Sequence, residues 1–458
     1  MFQLTDAEFA EAVAALQGLL RIDTTNPPGH ERPAIEQVAA WLKADGFEPE
    51  IAGAEPDRPN LACRLPADAT RRSGRPIVLS CHLDVVPADP ARWTHPPFAG
   101  IEADGCLWGR GAIDMKGFAA MGLTVFRLLR RRGLALNRDL IFAAVSDEEA
   151  GATLGSEWLV HHRPDLLGGD PEYVINEVGG FTVHRAGQRF YPVQVAEKGL
   201  AWLRLTARGT PGHSSLPTAD NALAHLADAI GRLASARLPW HISQPARDFI
   251  GGMAAHSGWL ARTLSPLLLN SLTGPTLLPL AIAEPSRRRS VEAVLRNTVN
   301  PTLISHGGEK INVIPGLASI DLDGRLAPGQ TADDLIREIR TVLRDPEGRR
   351  YSIEVLRTSE AVVFSPDTPL FHTIRDVMSR RDPQGIVVPS IVPGFTDSKN
   401  YARLGATCLG FYPLRLPPDL DFAAMFHGDD ERIPLDGFRW GIETLADCLL
   451  QFAGIASA

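Results

Sequence analysis

PIVLSCHLDVV, residues 76–86, is an apolar run that ends on His82 and, two residues later, Asp84. A short apolar run bounded by turn signals fits a strand buried on both faces. Working outward, LIFAAVS (140–146) and EYVINE (172–177) have the same texture, and helical patterns separate them at about Lys116 to Arg132 and near 153–162. Two further helices are expected upstream, at about 6–20 and 31–46, followed by strand-like segments at 48–52 and 60–64. Apolar strands alternating with helices predict a three-layer α/β domain with a mostly parallel sheet. In such sheets ligands bind beyond the carboxyl ends of the strands. His82, Glu148, Glu149 and Glu177 all fall at those ends.

From Glu197 the pattern changes. LAWLRLTARG (200–209) alternates like a half-exposed strand, a helix is expected at about 219–235, and strands follow near 301–306, 317–326 and 351–357 with a helix at 331–344. This block predicts an α+β domain, 198–358, inserted into a discontinuous one made of 1–197 and 359–458. A chain of 458 residues also exceeds what one hydrophobic core usually organises. Between the two halves of the insertion lies a Leu-rich stretch, Leu260 to Ala283, interrupted by Arg262, Pro266, Pro275 and Pro279. It is too broken for a membrane span. It reads as a buried or lid-facing helical hairpin, or as a wall for an apolar substrate.

The net charge of −8 provides no electrostatic case for nucleic acid or an anionic membrane surface. The two basic clusters, RLLRRRG at 127–133 and SRRRS at 286–290, read as solvated helix ends or loops. Five cysteines without a CxxC pair point to reduced thiols and a cytoplasmic location. The start of the chain, MFQLTDAEFAEAV, carries a Thr5…Glu8 capping box rather than a secretion leader.

The candidate chemistry rests on acids and histidines. His82 and Glu177 end apolar strands, and Asp84 is placed to orient His82 or to brace the site from behind, as a carboxylate behind a metal-bound histidine does. Asp114, in GRGAIDMKG (109–117), either bridges two cations or caps the helix that follows. Glu148 and Glu149 are adjacent at a strand end, where side chains point opposite ways, so one could bind metal while the other faces the reacting water. His427, in FHGDDERI (426–433), is one of 13 histidines and has Asp429, Asp430 and Glu431 as competing or supporting acids. Two imidazoles and several carboxylates, with no cysteine, suit a divalent pair better than a structural zinc site.

The motifs SCHLDVVP, GRGAIDMKG, SDEEAG, GTPGHSS, NVIP, PGFTDS and FHGDDE occur in this order over nearly the whole chain. The chain thereby resembles the di-zinc hydrolases that include aminoacylases, glutamate carboxypeptidases, acetylornithine deacetylase, succinyl-diaminopimelate desuccinylase and yeast carboxypeptidase S. The resemblance implies two Zn2+ ions, with Co2+ or Mn2+ as possible substitutes. It implies that Asp114 bridges them, His82 and Glu177 completing one site and Glu149 and His427 the other, with Glu148 as general base and Asp84 orienting His82. The motif before Glu177 departs from the usual Asp-Glu-Gly, reading Asn176-Glu177-Val178.

The same resemblance makes the inserted domain a lid that mediates homodimerisation. His213 then stabilises an oxyanion in a neighbouring active site, while Asn300, Arg325 and Gly394 contact substrate. The expected reaction is hydrolysis of an amide bond to an amino acid with a free carboxylate, in a small N-acyl or short peptidyl substrate. Alternatives are a dipeptidase or aminopeptidase of the same family, or an inactive binding relative.

Overall fold

The computed structural model describes residues 1–308, 310–420 and 425–455. It divides into two compact units: Met1–Val195 with Phe364–Ser390 and Thr396–Ala458, and Ala196–Val363 with Ile391–Phe395.

The first unit is built on a mixed sheet whose four central strands run parallel, in the order Leu140–Val145, Ile77–His82, Tyr173–Asn176 and Thr407–Gly410. Asn60–Leu65 joins one side antiparallel. Strand alternation sends Leu79, Cys81 and Phe142 into one core and Val78, Ile141 and Val145 into another. Helices therefore cover both faces, which makes three layers. Helix Lys116–Arg131 lies against the sheet, and Asp6–Leu20 and Leu435–Ala453 pack on it, so its residues from Lys116 to Leu129 are all buried. Ser156–His162 and Ser398–Tyr401 lie on the opposite face. The capping box at Thr5 and Glu8 is formed, with both reciprocal hydrogen bonds present. This is the mostly parallel α/β fold expected from PIVLSCHLDVV.

A small antiparallel sheet fixes the loops that matter most. Arg432–Pro434 pairs with Cys106–Trp108, which pairs with Ile101–Ala103. This pairing brings the segment carrying His427 beside the segment carrying Asp114, although more than three hundred residues separate them in sequence.

The second unit is a four-stranded antiparallel sheet in the order Thr298–His306, Leu317–Leu326, Gly199–Arg208 and Tyr351–Ser359. Helices Ala222–Ser235 and Ala332–Leu343 close its core through Leu226, Leu233, Leu335 and Ile339 against Leu203, Leu205, Ile320 and Leu322. Residues 391–395, which include Gly394, group with this unit rather than with the first.

The Leu-rich stretch corrects an expectation. It forms helices Trp259–Leu268 and Gly274–Ala281, flanked by Gln244–Ala255 and Pro285–Leu295. The buried reading fails for helix Trp259–Leu268, which contains no buried residue, whereas Leu269 and Leu278 of the same stretch are buried beside Trp240 and Leu295. Among the described residues, no helix is long and apolar enough to cross a membrane.

Candidate metal centre

His82 is the last residue of its strand and is fully buried. Its Nδ1 lies 3.0 Å from the backbone carbonyl of Asp84. A carbonyl only accepts, so Nδ1 carries the hydrogen and Nε2 is left with its lone pair. That Nε2 faces carboxylate oxygens, Asp114 Oδ1 at 3.2 Å and Glu177 Oε2 at 3.6 Å. A lone pair directed at two carboxylates is repulsive unless a proton or a cation lies among them.

On the other side of Asp114, His427 Nε2 lies 3.0 Å from Oδ2 and 3.1 Å from Glu149 Oε2. Two triads result, His82/Asp114/Glu177 and Asp114/Glu149/His427, and in each the ligand atoms lie within 4.8 Å of one another. Asp114 is common to both, with one oxygen facing each. It does not cap the following helix, since Met115 occupies the cap position and no side-chain cap bond is made. Glu149 Oε1 is buried with no hydrogen-bond partner among the described residues. A buried, unpartnered carboxylate oxygen in a set of two imidazoles and three carboxylates fits hard or borderline divalent cations.

The adjacent glutamates correct the geometry read from sequence. Strand Leu140–Val145 ends before them, Asp147 turns the chain at φ +68°, and Glu148–Ala150 is a 3-10 turn. Their side chains thus diverge by roughly 120° per residue, the step of a 3-10 turn, rather than pointing opposite ways as on a strand. Asp84 sets that turn. Its carboxylate accepts the amides of Glu148 (3.2 Å) and Glu149 (3.1 Å) and the Asn26 side chain (2.8 Å). Burial pushes Asp84 up, but hydrogen bonds from His82, Asn26 and the Glu149 amide outweigh it and keep the carboxyl ionised. Asp84 therefore braces His82 mainly through its main chain, and the two glutamates through its side chain.

Glu431 performs the corresponding task for Asp114. It is fully buried, accepts the backbone amides of Gly111, Ile113 and Asp114, and pairs with Arg110 at 2.7 Å. Removing one partner of a buried, hydrogen-bonded ion pair costs about 3–5 kcal/mol. Glu431→Ala should lower the unfolding free energy by about that much, measured from denaturant midpoints. Asp429 and Asp430 are engaged elsewhere, with Arg92 at 2.5 Å and with Thr94 at 2.6 and 2.7 Å.

Asn176, where the resembled family has aspartate, donates to Thr396 Oγ1 (3.2 Å) and Ser398 Oγ (3.0 Å). Val178 holds φ +60°, a left-handed backbone unusual for a β-branched residue. Asp397 was not singled out from sequence, although it lies in PGFTDS. It is buried, accepts from Ser156, and is raised to about 6 by burial.

The electrostatics follow from burying so many acids together. Burial, together with the Glu177 carboxylate, drives Glu148 well above the usual carboxylate range. Burial and Asp114 raise Glu149 to about 7, and Glu177 reaches about 8 by burial despite His82. Burial lowers His427, but Asp114 and Glu149 more than compensate and lift it to about 10. Without a cation, the cluster therefore retains protons at neutral pH, which a metal must displace. Metal affinity should rise with pH through the range set by Glu149, Glu177 and His427, about 7 to about 10. Titration calorimetry in buffers of different ionisation heat should show net proton release at pH 7. A heat independent of buffer would contradict this.

The remaining candidates belong to the second unit. His213 is exposed, and its Nδ1 accepts the Ser215 amide at 3.3 Å, which leaves Nε2 as the protonated nitrogen. Arg325 donates to Asp323 at 3.1 Å and lies 5.0 Å from the Phe395 ring centroid, next to Gly394. Asn300 is exposed on strand Thr298–His306, opposite Asp323 in register.

The sequence profile of the peptidase family M20/M25/M40 matches residues 78–451. The chain belongs to that family. As an M20/M25/M40 member it is a hydrolase of the metallopeptidase and aminoacylase type, which acts on N-acyl amino acids and peptides and uses divalent metal. It is 30% identical over 389 residues to the N-fatty-acyl-amino acid synthase/hydrolase PM20D1 of Mus musculus, covering 80% of this chain and 72% of that one. It is 27% identical over 383 residues to the probable carboxypeptidase S-like 2 of Dictyostelium discoideum, covering 80% and 69%. Among solved structures, the di-peptidase Dug1p of Saccharomyces cerevisiae superposes with a TM-score of 0.69 at 14% identity, over 98% of this chain and 96% of that one. The last likeness concerns fold.

Proposed function

We propose that this M20/M25/M40 hydrolase cleaves the amide bond of N-acyl amino acids with apolar acyl groups, using two zinc ions. The observation that carries this reading is the sharing of Asp114 between two ligand triads. His82 and Glu177 would hold one ion and Glu149 and His427 the other, with Co2+ or Mn2+ as substitutes. When bound, such a pair supplies Lewis acidity to the scissile carbonyl and to water.

The chain's own residues do the rest. Glu148, buried and outside both ligand triads, takes the proton from the attacking water as a carboxylate and delivers it to the leaving nitrogen. Asp84 keeps the Glu148–Glu149 turn and His82 in place. In the second unit, taken as a lid, His213 Nε2–H donates to the developing oxyanion. The Arg325 guanidinium, braced by Asp323, grips the substrate carboxylate bidentately, with Asn300 and Gly394 as further contacts.

The apolar acyl group is supported by the name of the mouse relative. A homodimer through the second unit is supported by the exposed Leu303, Ile304 and Ile311 there. A cytoplasmic, reducing location is supported by five free, buried cysteines.

The test is a substrate panel on zinc-loaded protein. N-acyl amino acids with long acyl chains should give a higher kcat/KM than dipeptides. A preference for dipeptides would transfer the assignment to the dipeptidase alternative, and failure on both would favour an inactive binding relative, a reading opposed by the presence of all five ligands and Glu148.

A further inference from the structure

Helix Trp259–Leu268 in the second unit is amphipathic with its apolar side outward. Trp259, Leu260, Leu264 and Leu267 are 78%, 54%, 38% and 47% exposed. At 100° per residue these four side chains share an arc of about 140°. The inner arc is occupied by Ala261, Ser265 and Leu268, which are half-buried. The hairpin continues the pattern: Leu272 at its turn and Leu280 on helix Gly274–Ala281 are 87% and 79% exposed. Isolated exposed leucines are ordinary, but six large apolar side chains on one short hairpin mark an interaction surface.

The charge around this surface indicates its partner. Residues 259–296 carry Arg262, Arg287, Arg288, Arg289 and Arg296 against two acids, Glu284 and Glu292, which pair with Arg287 and Arg296 at 3.6 Å, in a chain whose net charge is −8. The net charge of −8 averages over the chain and hides this local reversal. Three consecutive arginines on helix Pro285–Leu295 span about 200° of its circumference, and Arg287 and Arg289 among them are exposed. No described helix is long and apolar enough to span a bilayer. Apolar side chains that include tryptophan, bordered by arginine, are the makings of a helix lying in the plane of a membrane interface.

We infer that the 259–281 hairpin docks on an anionic lipid surface, inserting Trp259, Leu260, Leu264 and Leu267 among the acyl chains while Arg287–Arg289 contact the headgroups. The inference is independent of the substrate assignment, because binding is measured without substrate.

The experiment is vesicle sedimentation of the full-length, metal-loaded protein, with phosphatidylcholine alone and with phosphatidylglycerol mixed in. The wild type should pellet with anionic vesicles and be released by salt. Combined Trp259→Ser, Leu260→Ser, Leu264→Ser and Leu267→Ser should abolish pelleting while leaving turnover of a short, soluble acyl-amino acid unchanged. Arg287→Gln, Arg288→Gln and Arg289→Gln together should reduce anionic-vesicle partitioning by about a hundredfold, at roughly fivefold per arginine. Wild type remaining in the supernatant would overturn the inference, as would an apolar variant that pellets normally. So would an apolar variant that loses turnover, which would assign the face to the active site, or one that changes the mass in analytical ultracentrifugation, which would assign it to a second copy.

Discussion

Glu148→Gln should lower kcat by about 10²- to 10⁴-fold, the contribution of a positioned general base, while the divalent content of the purified protein stays unchanged. The substitution keeps the shape of the side chain and removes its capacity to take a proton. Glu148 belongs to neither ligand triad, so metal retention follows from the geometry. Its turn is held through backbone amides by Asp84, which the substitution leaves untouched. A variant that loses metal would mean that Glu148 is a ligand. One with near-normal kcat would remove it from the chemistry.

Asp114→Ala should cost both ions, and His427→Ala only one. Every other ligand serves a single triad, whereas Asp114 faces His82 with one oxygen and His427 with the other. The loss of affinity should exceed the roughly 10- to 100-fold that removal of an outer support costs, because a shared charged ligand disappears from both sites. The fold should survive, since Glu431 binds the main chain of residues 111–114 and not the Asp114 side chain. Elemental analysis of the two variants beside the wild type decides the matter. Equal metal loss in both variants would exclude a bridging role.

Much of the architecture was readable in the sequence because it is encoded by local periodicity. PIVLSCHLDVV, LIFAAVS and EYVINE show apolar runs instead of alternation because their strands are buried on both faces, and this places His82 and Glu177 at strand ends. The supporting carboxylates were less legible. Glu431 and Asp397 are defined by partners hundreds of residues away, and such pairings leave no periodic trace. The bonds from the Glu148 and Glu149 amides to Asp84 were hidden because they too join distant segments, and the 3-10 turn after Asp147 because it depends on one left-handed residue. The Leu-rich stretch was ambiguous in a different way. Hydrophobicity shows that a short, proline-interrupted helix has an apolar side, not whether that side faces the core.

The most direct test of the paired centre is anomalous diffraction from a zinc-loaded crystal. Two peaks about 3.5–4 Å apart are expected, one among His82, Asp114 and Glu177 and the other among Asp114, Glu149 and His427, with Asp114 between them. A single peak, or peaks away from Asp114, would contradict the account.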